Sequence, residues 1–269
     1  MTDIPLGKTS SSPDRYAPEL LAGIPRDEAR ALSAIGRDLP FVGVDLWNAW
    51  ELSWLSPGGR PNVAVAEIEV PATTPNIVES KSMKLYLNSF AMTEYRDVEE
   101  LTDTITADLS HTAGDEVRVT VTEGASPRFA VAAMPGRCID SLSVTCDGKD
   151  VDPEVLSSSA DDSVEEALHS HLLRSLCPVT GQPDFGSVLV AYRGPRIDDM
   201  GLLRYLVSFR RHQDFHEACV ERMFMDIMNR CNCESLSVYA RYTRRGGIDI
   251  NPFRSTDQES AENLRLWRQ

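Results

Sequence analysis

A cysteine and an aspartate seven residues apart, Cys177 and Asp184, flank a turn-forming run in LLRSLCPVTGQPDFGS (residues 172–187). Pro178, Gly181 and Pro183 bend the chain between them, so thiol and carboxyl can meet. That pairing suits a nucleophile with a proton donor, provided the thiol pKa lies near or below the working pH. The competing reading is a buried structural cysteine, the commoner fate of a free thiol.

Three further clusters carry chemistry. In DFHEACVER (residues 214–222), His216 and Glu217 stand at the start of a helical pattern, with Asp214 placed to cap it. Neighbours on a helix diverge by about 100°, so both reach one ligand only from the first turn. Histidine there serves as a proton shuttle; the alternative is a solvated acidic turn favoured by the helix dipole. In VESKSMKLYLNSF (residues 78–90), Glu79 offers an acceptor for the ring N–H groups of a heterocycle. Ser80, Lys81 and Lys84 beside it offer donors to anionic oxygens, or are simply solvated. RYTRRGGIDINPFR (residues 241–254) sets Arg244 and Arg245 before Gly246 and Gly247. Such glycines admit a ligand close to the backbone and such arginines hold phosphate, unless the segment is only a basic turn.

No Gly-rich dinucleotide fingerprint and no phosphate-binding P-loop is present, so any dinucleotide binds outside those frames. Cys231 and Cys233 lack a second ligand pair at zinc-like spacing, so Cys231 reads as core and Cys233 as loop. No chemistry is assigned to Cys138 or Cys219.

These clusters need elements to hold them. Residues 63–70 alternate as a strand, and Met83–Phe90 reads as its partner. Val98, Leu101, Ile105 and Leu109 form the stripe of an amphipathic helix, after which Val117, Val119 and Val121 resume alternation. The Ser- and Asp-rich tract at 147–163 marks a linker. Residues 164–176 fit helix and strand equally. Val188, Val190 and Tyr192 then alternate before a turn at Gly194, and 199–209 predicts a short helix. Val220, Met223, Phe224, Ile227, Met228 and Cys231 give the strongest helical face, and Leu236–Tyr242 a final strand. Each half thus reads as strands, helices, strands, an α+β arrangement.

With 41 acidic against 27 basic residues, the net charge of -14 disfavours nucleic acid as a direct partner. No segment approaches the roughly 20 apolar residues of a bilayer helix, and the opening residues lack a signal peptide's apolar core. A cytoplasmic location with reduced thiols is expected.

Taken together, the clusters resemble one family: the NADPH-dependent 7-cyano-7-deazaguanine reductases, nitrile reductases of queuosine biosynthesis. ESKSMKLY (79–86) looks like the family's signature motif, and LLRSLCPVTGQPDFGS like its nucleophile segment. SFRRHQDFHEACVERMF (208–224) resembles its substrate loop and helix, and SVYARYTRRGGIDINPFRS (237–255) its cofactor segment. LPFVGVDLWNAWELSWL (39–55) is also similar, so the match runs from about residue 16 to the end.

The resemblance implies two tandem tunnelling-fold modules, each an antiparallel sheet with helices packed on one face, at 16–148 and 164–269. A flexible leader (1–15) and a linker (149–163) complete the chain, 164–176 becomes a strand, and a homodimer is expected. By motif, Cys177 attacks the nitrile carbon to form a thioimide, Asp184 donates the proton to nitrogen, and His216 assists. Val78, Glu79, Ser80, His216 and Glu217 hold the deazaguanine, while Ser80, Lys81, Arg245 and Gly246 contact NADPH. Two NADPH are consumed and no metal is required. Beside this stand a non-catalytic purine- or pterin-binding module of the same fold and a zinc-dependent cyclohydrolase-like enzyme.

Overall fold

Alternation along the chain builds two long antiparallel hairpins, which a computed structural model shows in residue 13, residues 15–146 and residues 150–269. Most of the leader expected over 1–15, and the first linker residue, lie outside the described residues. A short strand β1 (Gly23–Pro25) and helix α1 (Asp27–Leu32) precede the first hairpin, β2 (Val42–Leu55) with β3 (Pro61–Pro71). Then come β4 (Asn76–Val78), helices α2 (Ser80–Ser89) and α3 (Val98–Ala113), and β5 (Arg118–Glu123). A two-residue strand β6 (Arg137–Cys138) leads to the second hairpin, β7 (Ser158–Leu176) with β8 (Pro183–Ile197). Helices α4 (Asp199–Ser208) and α5 (His216–Cys231) and strands β9 (Ser235–Tyr242) and β10 (Ile248–Ser255) follow.

Among the described residues these strands form one eight-stranded sheet, ordered β5-β3-β2-β10-β9-β8-β7-β6, and a separate β1-β4 pair. All neighbours in the large sheet are antiparallel except β6 with β7. The α+β class is therefore observed. β10 pairs with β2 from Ile248↔Ala49 to Ser255↔Val42, so the two halves share a single sheet. Leu236, Val238, Ala240 and Tyr242 of β9 point to the core beneath Val220, Met223, Phe224 and Ile227 of α5. Leu101, Ile105 and Leu109 of α3 cover β2, β3 and β5 in the same way. Each large apolar side chain buried there contributes about 1.5–3 kcal/mol.

Three expectations change. Met83–Phe90 is helix, not a strand partner: Met83, Tyr86, Leu87 and Phe90 recur at steps of three and four and are all buried. Glu79 caps that helix with both carboxylate oxygens, accepting from Lys81 N at 2.8 Å and Ser82 N at 2.7 Å, and the place beside β3 goes to β5. β7 begins at Ser158, inside the tract read as linker, because pairing as far as Ser158↔Ile197 satisfies the backbone of those polar residues. β8 correspondingly runs through Gly194, which takes φ +141° where the backbone passes close to Cys233 and Glu234.

A buried ionic cluster joins the halves. Arg254 of β10 reaches Asp45 of β2 and Glu221 of α5, each at 2.8 Å. Arg26 pairs with Asp45 at 2.7 Å, and Arg30 of α1 with Glu221 at 2.8 Å. Glu221 lies one and a half turns along α5 from His216, so this cluster sets the helix's seat on the sheet.

Candidate active site

The β7–β8 turn brings sulfur and carboxyl to one place. Cys177 N donates to Gln182 O and Gly181 N to Cys177 O, both at 2.9 Å, with Gly181 at φ +66°. Ser175 and Asp184 are cross-strand partners, so Asp184 returns beside the end of β7. Residues 212–214 dock on the same strand end: Leu176 N donates to His212 O at 2.8 Å and Asp214 N to Leu176 O at 3.1 Å. This delivers the chain into α5 with His216 as its first residue.

Asp214 does not cap that helix. Phe215 holds the N-cap position without a side-chain bond, and Asp214, one residue too early, accepts from Phe215 N and faces His212 Nε2 at 3.6 Å. The His216 ring lies flat on Tyr242, with centroids 3.7 Å apart and planes 3° apart, and presents Nε2 to Asp184 Oδ2 at 3.4 Å. Arg245, from the β9–β10 turn, stands 3.4 Å from the other Asp184 oxygen and donates to Gln182 Oε1 at 3.0 Å. From the N-terminal half, β4 pairs with β1 and brings Val78, Glu79 and Ser80 to the opposite wall. Together these elements line one open cleft, walled by Val78, Glu79 and Ser80 on one side and by Cys177, Asp184 and His216 on the other.

The charges in the cleft are unequal in kind. Burial alone would raise the Cys177 thiol, but the Thr180 hydroxyl, the N–H groups of Thr180 and Val179, and Arg245 hold it below its ordinary value. Burial also works against Asp184, yet the hydrogen bond and charge from His216, then Arg245 and Lys84, keep it below the usual carboxylate range. Lys84 is lowered, first by burial and then by Arg245. Glu217 goes the other way: burial, then the charge of Asp45, pushes it up to about 8, against the pull of Arg26 and Arg254.

Comparison with known proteins bears on what such a cleft does. One family profile, described as nitrile reductase, 7-cyano-7-deazaguanine-reductase N-terminal, matches residues 12–121. Another, described as QueF-like protein, matches residues 183–261. The NADPH-dependent 7-cyano-7-deazaguanine reductase of Dechloromonas aromatica (strain RCB) is 52% identical over 268 residues, covering 98% of this chain and 95% of that protein. The protein of the same name from Azoarcus sp. (strain BH72) is 54% identical over 257 residues, covering 95% and 91%. The chain belongs to the 7-cyano-7-deazaguanine reductase family.

Of the residues singled out from the 7-cyano-7-deazaguanine reductase resemblance, Cys177, Asp184, His216, Val78, Glu79, Ser80, Glu217 and Arg245 all line the cleft. Lys81 and Gly246 do not. Lys81 is exposed on the first turn of α2, and Gly246 lines an adjoining groove of about 340 Å³ together with Lys84 and Gly247. Lys84 belongs to both cavities and bridges them. Sequence reasoning passed over Thr180, whose hydroxyl meets the Cys177 sulfur, and Tyr242, the platform under His216. A threonine three residues after a cysteine in a turn was a legible signal for the first; the stacking on Tyr242 had none.

Proposed function

We infer that the protein reduces the nitrile of 7-cyano-7-deazaguanine to the aminomethyl group of 7-aminomethyl-7-deazaguanine, consuming two NADPH, in queuosine biosynthesis. Family membership supports this reading. The observation that carries the mechanism is a thiol held below its ordinary pKa in one cleft with a carboxylate held below the usual range, an adjacent histidine and two further carboxyl groups. A non-catalytic binding module would have no use for that thiol and carboxylate.

Glu79 and Glu217 accept from the ring N–H edge of the deazaguanine, and the backbone around Val78 and Ser80 completes the pocket. Cys177 Sγ adds to the nitrile carbon, forming the S–C bond while a π pair moves to nitrogen. Asp184 is ionised in the free site, so its part is a relay: it takes the Cys177 thiol proton and passes it to that nitrogen, giving the neutral thioimide. NADPH, when bound, supplies a hydride in each of two reductions. After the first, the S–C bond breaks, Cys177 leaves as thiolate, and the imine stays between Glu79 and Glu217. His216 steadies Asp184 and assists the later proton transfers.

The residues fit a polyphosphate-bearing co-substrate. Gly246 and Gly247 both take positive φ, and a Cβ on Gly246 would stand 3.0 Å from Lys84 Cε, so a side chain there would crowd the cradle. Ser80, Lys81, Arg245 and Gly246 are its proposed contacts, with Lys84 added.

Mixing the protein with 7-cyano-7-deazaguanine alone should add one substrate mass to the intact chain; no increment at saturating substrate refutes the thioimide. Asp184→Asn keeps the shape of the site but cannot relay a proton. Adduct formation in that variant, followed by stopped-flow absorbance, should slow by about 10²–10⁴-fold with substrate affinity within a few-fold. An unchanged rate would remove Asp184 from the proton path.

Substrate binding should also depend on pH through Glu217. Accepting two ring N–H groups requires its carboxylate, and below about 8 the group must first lose a proton. Each pH unit under that value costs about 1.4 kcal/mol, so affinity should rise about tenfold per unit from pH 6 to 8 and then level. Calorimetry on the Cys177→Ala protein isolates the non-covalent step, and Glu217→Gln should bind weakly with no such slope. A flat profile in the Glu217-containing protein contradicts this role.

The same reading includes two tandem tunnelling-fold modules, expected at 16–148 and 164–269, with β7 carrying the second back to Ser158 and so shortening the connection between them. Each half repeats a hairpin, two helices and returning strand, which supports it. It also includes a cytoplasmic homodimer that binds no nucleic acid directly, in keeping with the acidic balance. Among the described residues no helix is long and apolar enough to cross a membrane.

A further inference from the structure

We propose that Cys138, His169 and His171 form a metal site, separate from the reductive cleft, that takes one zinc-class divalent ion. Cys138 on β6 pairs in register with His169 on β7, and His171 follows two residues later on the same strand. Leu168 and Leu173 of that strand belong to the core, whereas one donor atom from each of Cys138, His169 and His171 lies within 4.8 Å of the other two. Around a tetrahedral zinc, with bonds of about 2.0–2.3 Å, such atoms stand roughly 3.5 Å apart, so modest side-chain rotation closes the set.

The second nitrogen of each ring makes the case stronger than proximity alone. His169 Nδ1 is 2.8 Å from Pro135 O. A carbonyl only accepts, so Nδ1 carries the proton and Nε2 keeps its lone pair for a metal. His171 Nδ1 lies 2.7 Å from Ser187 Oγ, a hydroxyl that can donate or accept, so this contact orients the ring and leaves its tautomer open. Both rings are thus oriented through Nδ1, His169 by the outer carbonyl hydrogen bond that metal-bound histidines use. One thiolate and two imidazoles form a borderline-soft set favouring Zn²⁺ over Mg²⁺ or Ca²⁺, with a fourth position left for water. On binding, the S–H bond of Cys138 breaks, its proton goes to solvent and the sulfur pair forms the metal bond.

The location argues for a fastening role. β6 is two residues long and sits at the sheet edge, in the segment crossing from β5 to β7, where backbone pairing holds it weakly. None of the three residues lines the cleft, and His171 lies six residues before Cys177, roughly 20 Å along an extended strand. The ion takes no part in nitrile reduction.

Untagged protein stripped with a chelator and titrated with Zn²⁺ against a chromophoric competitor should bind one equivalent. Co²⁺ in its place should show thiolate-to-cobalt charge-transfer absorption. Binding should persist in Cys177→Ala and weaken by at least about 100-fold in both Cys138→Ser and His169→Gln. Those last two variants should still oxidise NADPH with the nitrile, which shows that they fold. Unchanged binding in either of them, loss of binding in Cys177→Ala, or no equivalent bound by the unaltered chain overturns the proposal.

Discussion

Replacing Cys177 by alanine should abolish both the covalent mass increment and turnover, lowering kcat by on the order of 10³-fold or more. The size follows from what is removed. Asp184, His216, Glu79 and Glu217 still surround the substrate, but an unactivated nitrile resists hydride, and without sulfur no C=N is formed to receive it. Non-covalent binding should survive, because the sulfur sits at the cleft wall and the proposed contacts to the heterocycle come from Glu79 at the start of α2 and Glu217 of α5. Serine at 177 is the stricter test: it keeps a hydrogen-bonding group of similar size, but its hydroxyl is far less acidic than a thiol that Thr180, Val179 and Arg245 already stabilise as thiolate. NADPH oxidation at near-normal rate by either variant would end the covalent mechanism.

The second large effect concerns stability. Glu221→Ala should destabilise the fold by about 3–5 kcal/mol, read as a fall in the urea midpoint at unchanged slope. Glu221 is held as a carboxylate against the cost of burial by Arg254, Arg30 and Arg26. Removing it strands Arg254, itself fully buried, and Arg30 with one carboxylate fewer between them. Glu221→Gln should recover only part of the loss, since an amide keeps hydrogen-bond acceptance but not charge. Because these pairs connect α1, α5, β2 and β10, local softening should also loosen the seat of His216 and Glu217. A loss below about 1 kcal/mol would mean that water reaches the cluster and screens it.

Much of the fold was legible where the local pattern had no competitor. The α5 stripe from Val220 to Cys231, the α3 stripe and the alternation of β3 and β9 bury the residues their spacing indicated, except that Met228 and Val98 are half-buried at the edges of their clusters. Met83–Phe90 went astray because it was read as an extended run, although its buried positions recur at helical steps behind a Glu79 cap. Asp214 failed as a cap by one residue, a margin no propensity argument resolves. The strand over 164–176 was undecidable from periodicity, and pairing with β8 decided it.

For the site, local sequence determined the Cys177 turn, the carboxylate seven residues on, and the histidine and glutamate opening α5. It also placed glycines where only positive φ would serve, at Gly181 and Gly246. Tertiary structure decided which of these groups share a cleft and what charge each carries. Arg245, read as a cofactor contact, stands against Asp184; Glu217 is buried beside Asp45 and pushed up; His169 and His171 meet a cysteine some thirty residues earlier. The reason is range. Backbone preference and hydrophobic period act over a few residues, whereas a pKa or a ligand set depends on distances between segments that only the folded sheet brings together.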